Sequence, residues 1–296
     1  MSLFVLSLGF GLVTASVLSV AALGFTLQFG ISNVLNLAYS SFMTLAGFIA
    51  YWLNTQGLDI WLCLLVAAAA TAILSLGLSR AVYEPFIRRG ARSFEILIIS
   101  LAVGVAVTNL LLAFIGPSGF SYPGVQNASV YHFAGLTLTS DQLVVIAIAV
   151  ALMIGSHLLL TSTSIGRALR ATAENSELAR ACGIATPRIT RIVWLLSGAL
   201  CGAAGVVLFL SISSFTVQSG QDFLVPIVAA AVLGGIGQPY GAMLGALVIG
   251  LASEVSAAFI NPSDKEVVAF ALLVLVLLAR PQGLFAEAAH RREVIT

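Results

Sequence analysis

The sequence predicts an all-α integral membrane protein, a polytopic bundle of about 8–9 helices able to cross the ~30 Å hydrocarbon layer. Three observations predict it. Of the 296 residues, 59% are hydrophobic and only 8% are charged, where a soluble domain carries about 25% charged residues. Apolar runs recur along the whole length. The arginines gather at the ends of those runs, as basic residues flanking spans do on the cytoplasmic side. Placement at span ends also argues against nucleic acid as a partner, which needs basic residues on one soluble face.

A crossing needs about 20 apolar residues. Runs of that kind fall at 3–27, 33–53, 60–80, 94–115, 142–161, 191–213 and 241–260, with shorter ones at 223–237 and 266–280. Each is expected to be a helix, because lipid offers backbone groups no partner outside their own segment. The first run lacks the basic leader of a signal peptide and extends past the usual length of its apolar segment, so it reads as a retained span. The stretch 116–141 holds Pro117, Gly119, Pro123, Gly124, Asn127 and Asp141 without a basic residue. It reads as an external loop with room for a short hairpin. Residues 162–190 read as a long internal loop.

Charge fixes the direction of each crossing. The twelve arginines fall into three groups, Arg80 to Arg92, Arg167 to Arg191 and Arg280 to Arg292, and all three are placed inside. An even number of crossings must then separate Arg191 from Arg280, and the four runs between them satisfy this. Gly234, Gly235, Gly237 and Pro239 therefore turn the chain near the inner face, with glycine supplying backbone freedom and proline opening the next helix. Counting back from Arg80 puts the N-terminus outside, and the C-terminus falls inside.

Chemistry on a substrate is not indicated. The sequence holds no nucleophile–histidine–acid set, no carboxylate pair in a catalytic setting and no metal-ligand spacing, so no catalytic residue and no metal are assigned. Cys63, Cys182 and Cys201 read as small apolar fillers. A Walker A loop needs a lysine after a glycine-rich stretch. The one lysine, Lys265, follows Asp264, so nucleotide hydrolysis would belong to another chain.

Two features carry mechanism. Between Ser164 and Ile184 the chain is too polar to span and too helix-prone to be floppy. Gly166 opens it. Arg167, Arg170, Glu174 and Glu177 share a face if one helix runs through. Alternatively Asn175 caps a second helix that Gly183 ends. Thr186-Pro187 then starts the next span. Such a helix facing the cytoplasm either receives force from a partner or is a solvated linker. In the second span, Asn33, Asn36, Ser40 and Thr44 follow at three- and four-residue steps. This polar stripe faces protein or water, either lining a substrate path or bonding to neighbouring helices. Glu254 lies in the 241–260 run, with a path role or a structural hydrogen bond as the alternatives. Gly30-Ile-Ser-Asn33 and Gly235-Ile-Gly-Gln238 form a faint internal echo, of the kind that marks paired interrupted helices in transporters.

The 164–184 loop resembles the coupling segment of the LivH-type permeases of branched-chain amino-acid ABC transporters. Val232 to Gly250 resembles that family's glycine-rich turn and following helix, and Arg280-Pro-Gln-Gly-Leu-Phe285 its C-terminal ending. The resemblance implies the ABC importer permease fold as one transmembrane domain over 1–296, with residues 162–190 as the cytoplasmic coupling loop. It implies a bacterial inner-membrane complex with a second homologous permease, two cytoplasmic ATP-binding subunits and a periplasmic substrate-binding protein. ATP and Mg would be held by the partner ATPase and no cofactor by this chain. It also implies a translocation path for branched-chain or related small amino acids. Tyr39, Ser40 and Ser41 depart from the histidine, glycine and acidic residue frequent in relatives, so the substrate stays open among amino acids, amides and urea. The other class compatible with the sequence is a secondary transporter or channel driven by an ion gradient. It would need no docking helix at 164–184 and would rely on an intramembrane acid such as Glu254.

Overall fold

Two long helices, α1 (Leu3–Ser32) and α9 (Thr186–Ser211), form the centre of the computed structural model. In each, 78% of the most apolar stretch is buried inside the protein, against 22–28% for the spans at 60–88, 93–115 and 140–162. The structure describes residues 3–122, 130–133, 136–212, 214–259 and 265–279. The C-terminal arginines, the Arg280–Phe285 motif and Pro123 to Asn127 lie outside the described residues.

Around this centre stand α2 (Tyr39–Thr55), α3 (Ile60–Leu78), α5 (Ser93–Ile115), α6 (Ser140–Ser162), α10 (Leu224–Gly234), α11 (Pro239–Ser256) and α12 (Lys265–Ala279). α3 continues through a π turn, Ser79–Tyr83, into α4 (Glu84–Arg88), so the first arginine group extends a helix. The expected hairpin is present as β1 (Val130–Phe133) and β2 (Leu136–Thr139), antiparallel with Val130 opposite Thr139. The short α7 (Ser164–Glu174) and α8 (Ser176–Ala181) connect α6 to α9. Among the described residues, six helices are long and apolar enough to cross a membrane, and two more, Gln221–Gly234 and Val267–Leu278, are apolar but shorter. α2 has 17 residues, about 25 Å at 1.5 Å per residue.

The packing has an internal two-fold logic. α1 lies on α11 as α9 lies on α3, and α10 packs on α11 as α2 packs on α3. α9 touches α2 as α1 touches α10, and α12 lies against α10 as α5 lies against α2. Two halves in the order α1–α2–α3–α5 and α9–α10–α11–α12 are thus related. The four-residue echo does not mark this repeat. Gly30-Ile-Ser-Asn33 closes the first helix of its half, and Gly235 to Gln238 closes the second helix of the other. The structure instead sets the two segments face to face: a Cβ on Gly30 would lie 3.2 Å from Gly237 Cα. The counterpart of the 33–38 break is the connection at 212–220.

The second span corrects the sequence reading at its start. It begins at Tyr39, not at 33, so Asn33 and Asn36 do not share a helical stripe with Ser40 and Thr44. The cause is local. Asn33 takes a left-handed conformation, φ +54°, and ends α1 with its N–H on the Phe29 carbonyl at 2.8 Å. Asparagine tolerates that region better than most side chains. Asn36 Oδ1 then accepts from Ala38 N–H at 3.2 Å, a turn that competes with helix.

Connections gather at two ends. Leu37 N–H donates to Ser100 Oγ at 3.1 Å and Ser100 Oγ donates to the Leu35 carbonyl at 3.1 Å, tying the 33–38 break to the start of α5. With the Gly30–Gly237 approach, this collects the 33–38, 79–92 and 235–238 connections. At the opposite end Phe120 and Phe215 exchange backbone hydrogen bonds of 2.8 and 2.9 Å, joining the loops after α5 and after α9. Rings of Phe48, Tyr51, Phe120, Tyr122, Phe209 and Phe215 pack there, with Phe209 and Phe215 stacked at 4.2 Å.

Small residues set the closest approaches. Gly198 and Gly202 of α9 lie on Ala72, Ser75, Ala68 and Thr71 of α3. Where α10 crosses α11, Gly234 and Gly241 meet backbone to backbone, and a Cβ on either would overlap the other's carbonyl. Backbone cannot yield as a side chain can. Gly241→Ala is therefore expected to destabilise the protein by about 1–3 kcal/mol, read as a lower thermal midpoint of the purified protein in detergent. Gly155→Ala, where no atom lies within 4 Å of a new Cβ, is the control.

Candidate functional site

The elbow between α6 and α9 is two helices, the second alternative the sequence left open. Thr163 caps α7 by accepting from Gly166 N–H at 2.9 Å. Asn175 breaks the run in extended conformation, φ −151°, and caps α8 by accepting from Glu177 and Leu178 N–H at 3.1 and 2.9 Å. Gly183, φ +85°, closes α8, and Pro187 sits in the first turn of α9. Arg167, Arg170, Glu174 and Glu177 thus do not lie along one continuous helix.

The elbow has a seated face and a free face. Gly166, Leu169 and Thr172 recur every three residues and are buried. A Cβ at Gly166 would overlap the carbonyls of Leu159 and Leu160, so α7 is seated directly on the last turn of α6. Arg167, Arg170, Glu174, Glu177 and Arg180 point outward and are exposed, together with apolar Ile165 and Leu178. Leu178 is 61% exposed. The free face thus mixes charged side chains with bare apolar ones.

The polar residues expected on a path are divided by the structure. Asn33 is exposed at the helix break. Ser40 and Thr44 are fully buried, covered by Gly220: a Cβ there would overlap Thr44 Oγ1. Asn36 is buried and its Oδ1 also accepts from Tyr83 Oη at 2.9 Å. The π turn presents Tyr83 to the core, where its ring packs tilted against Trp194 with centroids 5.1 Å apart. Asn36, Tyr39, Thr71, Ser75, Gly198 and Cys201 enclose about 10 Å³, room for about one water. Nearby Gln28 Oε1 accepts from Ser197 Oγ at 3.0 Å, while Gln28 Nε2 and Tyr39 Oη are buried without a hydrogen-bond partner among the described residues.

Glu254 is elsewhere. Its Oε1 accepts from Thr14 Oγ1 at 3.1 Å and from Lys265 Nζ at 2.9 Å. It opens into a cavity of about 210 Å³ bounded by α1, the 212–223 segment, α10, α11 and α12. This cavity and the small one around Asn36 occupy equivalent places in the two halves. One lies beside α1 and α11, the other beside α9 and α3. Sequence reading missed Thr14, Ser219, Asp222 and Lys265 at this cavity, because they come from three segments far apart in the chain. Lys265 carried a signal, as the one lysine in the protein. Tyr122 was also missed. Its buried phenol, pushed well up from its ordinary pKa by desolvation, donates to the Gly47 carbonyl at 3.0 Å and pins the loop after α5 to α2.

Two other residues are structural. Glu95 caps α5, accepting from Arg92 N–H at 3.2 Å, and His157 Nδ1 is 2.9 Å from Tyr240 Oη, linking α6 to α11. Among the described residues no group of three or more His, Cys, Asp or Glu is placed to hold a metal.

The bundle thus has central buried helices, a charged elbow at one end and, at the other, a largely apolar cavity that carries Asp222, Glu254 and Lys265. The model of the family "branched-chain amino acid transport system / permease component" matches residues 7–277. The chain belongs to this family. It is 30% identical to the high-affinity branched-chain amino acid transport system permease protein BraD of Pseudomonas aeruginosa, with 94% of each chain covered. It is 28% identical to LivH of Escherichia coli, again over 94% of each. It is also similar to the fructose import permease protein FruF of Bifidobacterium longum, at 26% identity over 86% of this chain and 72% of that one. The protein is thus a multi-pass membrane permease component of an importer and not an enzyme.

Proposed function

We propose that this permease forms the translocation path for branched-chain or related small amino acids and is driven by a separate ATPase that grips the α7–α8 elbow. The single observation that carries the reading is the seating of Gly166 on the end of α6. Displacement of the elbow must pass into α6, because no compliant side chain lies between them. Arg167, Arg170, Glu174, Asn175 and Glu177 form the gripped surface, and Gly183 ends it. The permease names of BraD and LivH, given for branched-chain amino acid transport, support the substrate class. FruF shows that kindred chains carry names with other solutes, so the class rests on the permease names and the cavity chemistry together.

The permease works in a bacterial inner membrane as one transmembrane domain, with a second homologous permease, two ATP-binding subunits and a periplasmic binding protein. ATP and Mg belong to the ATPase. Nine crossings, α1, α2, α3 with α4, α5, α6, α9, α10, α11 and α12, put the N-terminus outside and the C-terminus inside. This agrees with arginines 80–92 and 167–191 at one end of the bundle. The cavity at Glu254 lies at the other end and faces the periplasm. It is open where its counterpart at Asn36 is nearly closed, as an importer waiting for substrate requires.

Proteoliposomes holding all subunits test the reading. Leucine uptake is expected only with ATP inside the ATPase-facing compartment, and collapse of ion gradients by ionophores is expected to leave it unchanged. Uptake that survives without ATP and disappears with the ion gradient would assign the protein to gradient-driven carriers instead.

A further inference from the structure

We propose that the cavity at Glu254 is a binding station for a small zwitterion with an apolar side chain, holding its ammonium at Asp222 and its carboxylate at Lys265. The proposal rests on the amino-acid reading above and names the residues that would recognise the substrate. The cavity holds two acids and one base, Asp222, Glu254 and Lys265, in a protein with only 8% charged residues. Charges are costly within a membrane bundle and collect at solute paths. A structural ion pair alone would account for Glu254 and Lys265, which meet at 2.9 Å. It does not account for Asp222. That side chain is exposed into the cavity from the 3₁₀ turn Gln221–Phe223, and its carboxylate makes no hydrogen bond or ion pair among the described residues.

The rest of the lining fits the same ligand. Lys265 is half-exposed, at 45%, and its three N–H donors are not used up by one contact with Glu254. Ser219 and Ser253 add hydroxyls on the polar side. Leu18, Ile212, Phe223 and Pro226 supply an apolar wall for an aliphatic side chain. The volume of about 210 Å³ suits a solute of leucine's size. The net charge of the three ionised groups is one negative, which draws an ammonium in. The lysine penalises ligands that lack a carboxylate. The equivalent space at Asn36 has neither acid nor base and about 10 Å³, so only one half carries the station in this conformation.

Equilibrium dialysis of tritiated leucine against the complete complex in nanodiscs, without the binding protein, tests this. Wild type is expected to bind saturably. Asp222→Asn, an isosteric change at an exposed side chain, is expected to weaken binding at least tenfold with the thermal midpoint unchanged. Lys265→Met is expected to weaken binding to a similar degree, with Lys265→Arg restoring most of the affinity. Isoamylamine and 4-methylpentanoate, each missing one charge, should compete at least tenfold worse than leucine. Wild-type affinity in both Asp222→Asn and Lys265→Met, or competition by isoamylamine as strong as by leucine, would overturn the zwitterion station. Absence of saturable binding in a complex that takes up leucine would overturn it too. If the wild-type complex takes up no leucine at all, the amino-acid reading itself falls, and that result comes from the uptake assay alone.

Discussion

Reversing both Arg167 and Arg170 to glutamate is expected to cut ATP-driven uptake by roughly 100-fold while leaving the fold intact. Both side chains are exposed on α7, and neither makes an ion pair among the described residues. The helix itself is held from its other face by Gly166, Leu169 and Thr172 and by the Thr163 cap, so its stability does not depend on the arginines. On a partner surface that pairs with these arginines, each reversal replaces attraction by repulsion. About 3 kcal/mol for the pair corresponds to two decades in affinity. Uptake in proteoliposomes and copurification of the ATPase subunits should fall together. Substrate capture by the isolated binding protein and the thermal midpoint of the permease should not change. Preserved copurification and uptake would remove these arginines from the interface.

Asn36→Ala is expected to lower stability by about 2–6 kcal/mol, because two buried groups lose their acceptor at once at roughly 1–3 kcal/mol each. Asn36 is 4% exposed. Its Oδ1 accepts from Ala38 N–H and from Tyr83 Oη, and thereby ties the break between α1 and α2 to the π turn after α3. Tyr83→Phe removes the same hydroxyl without orphaning a buried donor, so it should cost less. The double variant should be less destabilised than the sum of the two singles. Thermal unfolding in detergent reads all three. If Asn36 served only to line a path, Asn36→Ala would keep its thermal midpoint and change uptake alone.

Much of the fold was legible because membrane helices announce themselves by length and apolarity. The runs at 60–80, 94–115 and 142–161 differ from α3, α5 and α6 by a few residues at their ends. The capping chemistry of the elbow was also local: Asn175 and Gly183 sit where a cap and a terminator must sit, and α8 forms between them. The start of α2 was misplaced for the opposite reason. Asn33, Asn36, Ser40 and Thr44 fit helical spacing as well as α2 does, and spacing does not reveal that Asn33 has left the helical region. The cavity was legible only in part. Glu254 stood out as a charge in an apolar run, but its partners Thr14 and Lys265 are 240 and 11 residues away. Asp222 lies in a turn whose approach to α1 and α12 is set by tertiary packing.

The native thiol of Cys182 gives the most direct test of the elbow as a cytoplasmic handle. It is exposed at the end of α8, while Cys63 and Cys201 are buried. A membrane-impermeant maleimide should label Cys182 in inside-out vesicles stripped of the ATPase, and rebinding the ATPase subunits should protect it. Right-side-out vesicles should stay unlabelled. Labelling from the outer face, or labelling from the inner face that the bound ATPase leaves unchanged, would contradict the account.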